Sequence, residues 1–551
     1  MKGDRRAAAP VPGRTEQEKG PGMTPRQDTD DREYASITRR TLIRGVGALG
    51  FTAAASGLLL PTRARAATKG GHLKFGCSHG MTSDSLEPGT YAHGLGILIS
   101  YTIHAKLTVV AADNTLQGDL AESWEASDAA KVWTFKLRNA QFHDGTRVTA
   151  NDVVASINHH RGEASTSNAK TVVSNIAGIE APDDATVVFS LNGGDADFPF
   201  ILTDYQLAIC KAKPDGTIAW EDDGSRAGPY KVVEFEPGVR ISFAKAENYW
   251  NPDVGHVDTA EVLVITDPTA RQNALMTGEV DVIDRPDIRT LGMLSSAPGI
   301  TVEEEAGFRF FGFTMFCDTA PFDSNDVRLA LKYGLDREAM VNVALGGHGT
   351  IGNDHPITPA YRYHNPDIPQ HSYDPDRAAF HLKKAGLDSL AVDLSASSAA
   401  YASAVDCAVL YQSQAAAAGI NINVVNEPAD SYWSNVWLVK PFIATDWGGR
   451  PTEDLMFSVA YQAGAPWNDT RFNNERFEKL LVEARAELDE SLRRQMYGEM
   501  QQIVHDEGGL IAAMIPNSIW AFRARVRHGE ATSKAWELDG WQFISRWWVE
   551  D

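Results

Sequence analysis

One segment of this 551-residue chain combines the residue types that a small-molecule site needs. In the run 444–454, Trp447 offers an aromatic plane, Gly449 leaves the backbone bare, and Arg450 adds a charge close to Asp446. Ligand sites are mostly apolar walls with a few polar groups that fix orientation. The segment therefore predicts a binding site, and the alternative is a surface turn that uses Gly and Pro.

Two secondary candidates for ligand contact lie elsewhere. Cys77, Ser78 and His79 come at and after the end of an alternating strand, where a loop can place backbone groups at a cleft. His355 lies in an Asn-Asp-His-Pro run that follows a glycine-rich stretch. We expect both segments to approach the ligand.

The residues that could act as a catalytic acid and base are better explained by a structural role in a turn. His143 and Asp144 precede a glycine in a predicted tight turn. The chain has no GxSxG, HExxH, P-loop or CxxCH motif. Its cysteines form no CxxC pair, which excludes the usual zinc and iron–sulfur spacings and leaves one or two disulfides open. We predict no catalytic residue, no cofactor and no metal; the four cysteines are Cys77, Cys210, Cys317 and Cys407.

Length and charge limit the fold and the partners. A chain of 551 residues exceeds one ordinary core, so we expect two or three lobes. With 43% hydrophobic residues and 13 Trp, it has enough apolar surface to fold. A formal charge of -22 argues against nucleic acids, which need a basic face.

The first 66 residues predict export. Residues 1–35 are rich in Pro, Gly and charged residues, which is typical of a disordered leader, and the alternative is that translation starts downstream of them. Residues 36–66 have the pattern of a signal peptide, with Arg39 and Arg40 before an apolar run and a cleavage site after Ala66. The paired arginines predict the twin-arginine translocase as a partner. The apolar run of 16 residues is shorter than the roughly 20 that span a bilayer, which argues against a transmembrane anchor. No cysteine lies at the cleavage site, so we expect a soluble periplasmic protein without a lipid anchor.

Local patterns predict the elements that position these residues. Trp133, Phe135 and Leu137 alternate with polar residues, as on one face of a half-buried strand. Thr149 is a predicted helix cap. Asn474 and Asp489 are predicted to begin two amphipathic helices. The inward face of the first contains Phe477, Leu480, Leu481, Ala484 and Leu488.

An ordered series of motifs runs along the chain after residue 66. The motifs are Leu120–Asp128, Trp133–Arg138, Phe142–Gly145, Thr149–Val153, Gly228–Val232, Glu247–Trp250, Ala274–Asp281, Pro321–Asp323, Val327–Leu331 and Asp336–Arg337. This series resembles the family 5 extracellular solute-binding proteins, which bind dipeptides, oligopeptides, opines and nickel. The resemblance covers essentially the whole chain after residue 66.

The resemblance implies an α/β fold of the type II periplasmic binding protein kind, with two lobes, a hinge and an inserted subdomain. It implies a monomer that binds a solute without catalysis and passes it to the permease subunits of an ABC importer. On this basis we expect lobe I at 69–112, 207–305 and 518–551, the subdomain at 113–206, and lobe II at 306–517.

The resemblance also bears on the ligand. In the peptide binders of the family, the loop that matches Trp447 carries an Asp three residues later, which pairs with the peptide's ammonium group. Arg450 stands there in this chain, and a guanidinium suits a carboxylate. We expect a peptide-like solute with an acidic group, such as an opine, unless Asp446 or Glu453 neutralises Arg450.

Two other functions remain as alternatives. A nickel-type chelate could be bound on the same fold, with His79, His93 and His104 as candidate contacts. A hydrolase or redox enzyme exported by the twin-arginine route is the alternative from another class.

Overall fold

The computed structural model describes residues 67–550. The predicted leader, the pair Arg39 and Arg40, and the predicted cleavage after Ala66 lie outside these residues. Within the described range, no helix is both long and apolar enough to cross a membrane.

A mixed sheet of twelve strands runs through most of the described chain. Its centre is the 14-residue strand Leu510–Arg523, whose first half pairs with Phe310–Met315 and Gly349–Ile351. The second half pairs with Val282–Asp284 and Ile300–Ala306. One continuous strand therefore joins the two halves of the sheet. The other strands are His72–Cys77, Tyr230–Glu236, Arg240–Lys245, Thr259–Val264, Leu390–Ala396, Ile420–Asn426 and Phe442–Trp447.

Each half of the sheet packs helices over its own hydrophobic core, as a two-layer arrangement requires. The Phe75 core includes Trp520 and Trp547. The Phe313 core covers the strands at the other end of the sheet. The helices of these two cores are Gly94–Ile103, Asn325–Tyr333, Arg337–Leu345, Pro375–Lys384, Ala404–Ala415, Tyr432–Asn435, Glu537–Trp541 and Phe543–Arg546. Pro268–Thr277 and Leu291–Ser295 pack in a smaller cluster around Leu275, and Glu453–Ala460 packs in a separate core around Phe457.

A separate antiparallel sheet of four strands has a third core, the Phe135 core. The prediction for its second strand is confirmed, because Trp133, Phe135 and Leu137 are all buried. The predicted cap is also present: the Asp152 carboxylate accepts hydrogen bonds from the Thr149 backbone N–H and hydroxyl, both at 2.7 Å. The strands are Ala121–Ser127, Val132–Leu137, Ile176–Asp183 and Thr186–Leu191, and the capped helix is Ala150–His159.

Two helices near the C-terminus begin where the sequence predicts. Asn474 and Asp489 accept hydrogen bonds from the first turns of Glu475–Ala486 and Glu490–Glu507. The prediction for Leu488 is wrong, since the first helix ends at Ala486 and 51% of Leu488 is exposed. The helices pack in a fourth core, the Phe457 core. The remaining short elements are the pairs Thr108–Val110 with Leu116–Gly118 and Val526–Arg527 with Trp548–Val549, and the helix Phe198–Ile201.

Candidate ligand-binding site

A cavity of about 690 Å³ lies where three of the cores approach one another. Such a volume is in the range of small-molecule sites, which run from about 300 to 1,000 Å³. Its walls are largely aromatic. The Phe75 core contributes Tyr101 and Tyr205, the Phe135 core contributes Trp124 and Trp133, and the Phe457 core contributes Phe308 and Tyr361.

Arg450 lines this cavity and is held by its own loop. Its Nη1 donates to the carbonyl oxygens of Gly448 and Gly449, both at 3.0 Å. The Arg450 backbone N–H donates to the Tyr361 hydroxyl at 3.0 Å. The loop connects the strand Phe442–Trp447 to the helix Glu453–Ala460, so the loop itself is anchored at both ends.

Two indoles flank the same guanidinium. The Arg450 Cζ atom lies 5.6 Å from the ring centroid of Trp447 and 5.7 Å from that of Trp467. Such cation–π contacts are attractive without supplying a counter-charge. Burial lowers the pKa of Arg450, yet an arginine stays charged in proteins. The loop therefore presents a partly desolvated cation.

Neither neighbouring carboxylate neutralises Arg450. Asp446 binds Arg309, whose Nε lies 2.8 Å from Asp446 Oδ1. Glu453 is buried and accepts a hydrogen bond from the Tyr363 backbone N–H at 2.6 Å. Among the described residues, no carboxylate forms an ion pair with Arg450 within 4.0 Å.

The two other arginines of the cavity wall do have a counter-ion. Arg362 and Arg493 both bind the buried carboxylate of Asp197, at 2.7 Å and 2.9 Å from its Oδ1 atom. The wall also contains acidic residues, and burial raises the pKa of Asp204 to about 6. Arg450 is thus the arginine of this wall without a carboxylate partner within 4.0 Å among the described residues. The acidic residues of the wall are Asp113, Asp204, Glu453 and Glu490.

Trp447 is buried behind the Arg450 loop and does not line the cavity. Its Nε1 donates to Asp469 Oδ2 at 2.9 Å, and Trp437 Nε1 donates to the same atom at 3.2 Å. Burial raises the pKa of Asp469 to about 6. Sequence reasoning missed Asp469 and Trp467, which lie about 20 residues from Trp447 in the chain, where no local pattern joins them to it.

The Phe308 side chain packs directly against the backbone of Gly449. A Cβ atom added there would lie 2.0 Å from the Cβ of Phe308, so only glycine fits. Gly449 and Phe308 also line a second cavity of about 480 Å³, beside Asp446 and Trp536. The two cavities share Phe308, Gly449, Ala535 and Trp536, so they adjoin each other, and together they are called the cleft.

The secondary candidates do not reach this cleft. Cys77, Ser78 and His79 lie at the end of the first strand beside Asp284 and are absent from the walls of both cavities. His355 is buried next to His364, with 5.8 Å between ring centroids, and is absent from both walls. Of the eight predicted residues, the structure brings Gly449 and Arg450 to the first cavity and Asp446 and Gly449 to the second.

A two-lobed α/β molecule whose aromatic cleft contains an arginine without a carboxylate partner among the described residues has the features of a solute-binding protein. The family model for bacterial extracellular solute-binding proteins, family 5 Middle, matches residues 115–469. The chain belongs to this family. Its members are substrate-binding proteins of ABC importers for peptides or related solutes and are not enzymes, so the hydrolase alternative is set aside.

Individual relatives agree with this assignment. Heme-binding protein A of Haemophilus influenzae is 27% identical over 437 residues, 70% of this chain and 77% of its own length. Di/tripeptide-binding protein 1 of Pseudomonas aeruginosa is 24% identical over 483 residues, covering 78% and 86%.

Solved structures share the fold. The binding protein AgaA of A. tumefaciens R10, in complex with agropinic acid, has a TM-score of 0.67 at 26% identity, over 87% of this chain and 99% of that one. HbpA2 of Haemophilus parasuis has a TM-score of 0.79 at 20% identity, over 87% and 100%. The expected type II periplasmic binding protein fold is confirmed.

Proposed function

We propose that this chain captures a peptide-like or opine-like solute that carries an acidic group, and delivers it to the permease of an ABC importer. The observation that carries the proposal is the Arg450 guanidinium, which lines the aromatic cavity and has no carboxylate partner within 4.0 Å among the described residues. A ligand carboxylate would supply that partner.

The physical argument rests on desolvation. A cation removed from water without a counter-ion is unfavourable, and a bidentate carboxylate offsets that cost with two charge-assisted hydrogen bonds. Because the loop carbonyls and the indoles already orient the guanidinium, little side-chain entropy is lost when the ligand binds. The aromatic walls would cover the remainder of the ligand.

One similar structure supports the acidic ligand. AgaA, which is 26% identical to this chain, was solved with agropinic acid. The named peptide-binding relatives support the peptide-like part of the proposal. We further propose export by the twin-arginine translocase through Arg39 and Arg40, cleavage after Ala66, and action in the periplasm as a monomer.

A thermal-shift panel tests the ligand class. The probes are agropinic acid, N-carboxyalkyl amino acids and acidic dipeptides, each paired with its neutral amide. A ligand at 100 times its dissociation constant adds about 2.7 kcal/mol to stability, so binders raise the melting temperature. We expect stabilisation by acids and not by their amides.

The variant Arg450→Gln should bind the stabilising acid about 10- to 100-fold more weakly, since a hydrogen bond to a charged group contributes about 1.5–3 kcal/mol. Arg289→Gln is the matched control, because the Arg289 side chain is 83% exposed and lies outside both cavity walls. Equal affinity for an acid and its amide, undiminished binding by Arg450→Gln, or no stabilising solute in the panel would contradict the proposal.

A further inference from the structure

Three metal-binding residue types meet at the end of two neighbouring strands. Cys77 is the last residue of His72–Cys77, and Asp284 is the last residue of Val282–Asp284. These strands are parallel, so their carboxyl ends share one edge of the sheet. His79 follows in the next loop. The thiol, imidazole and carboxylate ligand atoms of the three residues lie within 4.8 Å of one another.

The positions of these ligand atoms are fixed by packing. The His79 ring is stacked on His93 at 6.0 Å and meets Trp541 edge-on at 5.9 Å. A Cβ atom added to Gly94 would lie 2.7 Å from His79 Nδ1, so no side chain fits between the helix and the ring. The cluster is therefore a preformed arrangement, which a metal site needs.

Burial and access also suit a bound ion. Cys77 and Asp284 are fully buried, whereas the His79 side chain is 20% exposed and offers a route from solvent. His79 Nδ1 lies 3.6 Å from Asp284 Oδ2 and 3.1 Å from Ser78 Oγ. Cys77 is free of disulfides, as are the other three cysteines of the described range.

We propose that Cys77, His79 and Asp284 bind one divalent transition-metal ion of the zinc type, with the fourth coordination position left to solvent because the Ser78 hydroxyl donates to Asp284 Oδ2. One sulfur, one nitrogen and one oxygen donor match the ligands that Zn²⁺ accepts in tetrahedral sites. On binding, the Cys77 S–H bond breaks, its proton leaves to solvent, and the sulfur lone pair forms the bond to the metal.

The charged groups around the cluster are compatible with a bound divalent cation. Arg271 lies 3.5 Å from Asp284 and its guanidinium opposes a cation, but a Cys77 thiolate adds a second negative charge to that of Asp284. The cluster lies outside both cavity walls, so the proposal is independent of the ligand assigned to Arg450.

Cobalt spectroscopy of the full chain tests the site. The metal-stripped protein is titrated with CoCl₂, and the thiolate-to-cobalt charge-transfer absorption reports sulfur coordination. We expect the absorption to saturate at one equivalent and to disappear when ZnCl₂ is added. Cys77→Ser should abolish it, whereas Cys407→Ser, which removes a buried thiol from the Phe313 core, should leave it unchanged.

His79→Gln provides a second test with a smaller effect on folding, because this side chain is partly exposed. Changes in residues behind the ligands already cost about 10- to 100-fold in metal affinity, so loss of a ligand should cost at least as much. Circular dichroism checks the fold of each variant, and if Cys77→Ser does not fold, His79→Gln decides alone. The proposal is overturned if wild type shows no thiolate absorption, or if a folded Cys77→Ser or His79→Gln keeps it unchanged.

Discussion

At the scale of single residues, Arg450 is defined by what surrounds it. Its contacts are two backbone carbonyls and two indoles, and each orients the charge without cancelling it. Trp447, Gly449 and Arg450 could be predicted as a site because they lie in one short segment. Asp469 could not be predicted, because it joins Trp447 and Trp437 only through tertiary contact.

Gly449 tests how closely the cleft is packed. In Gly449→Ala the new methyl group meets Phe308, which lines both cavities, so we expect a loss of about 1–3 kcal/mol and weaker solute binding. Gly448→Ala is the matched control, since its added Cβ meets no atom within 4 Å. Urea unfolding measures both variants; equal stability of the two would contradict this packing.

Asp469 makes the stability of the folded protein depend on pH. Its pKa rises from 3.8 to about 6 on burial, so the unfolded chain loses this proton at a lower pH than the folded protein does. The free energy of unfolding should therefore fall as the pH rises from about 4 to about 6, by up to about 3 kcal/mol.

Asp469→Asn removes this titration. The stability of wild type minus that of the variant, measured by urea unfolding across this pH range, should decrease with rising pH. A difference that stays constant would show that Asp469 has an ordinary pKa.

At the scale of elements, the sequence predicted helix starts better than helix ends. Asn474 and Asp489 carry their capping oxygens in the side chain, so a start can be read locally. The end of the first helix lacks such a residue. The periodic pattern was extended to Leu488, which instead lies in the link between the helices and lines the cavity.

Two leucine substitutions compare a buried helix position with an exposed position in the link between the two helices. Leu480→Ala should cost about 2–5 kcal/mol, because Leu480 is buried in the Phe457 core. Leu488→Ala should change stability by no more than about 0.5 kcal/mol, because Leu488 is exposed. Chemical denaturation compares them, and a large loss in Leu488→Ala would restore the predicted core position.

At the scale of the whole molecule, the family motifs predicted the fold, because they recur in order along the chain. They could not predict that Leu510–Arg523 pairs with both halves of the sheet, since strand pairing between distant segments leaves no local pattern. The exact lobe boundaries stay predictions. The cleft depends on this long-range order, because its walls come from three separate cores.

The most direct test of the acidic-solute assignment is a crystal structure with the acid that stabilises the protein most in the thermal-shift panel. We predict that the ligand lies in the 690 Å³ cavity with a carboxylate at about 2.7–2.9 Å from the Arg450 guanidinium nitrogens. A ligand bound outside this cavity, or one that turns an uncharged group toward Arg450, would contradict the account.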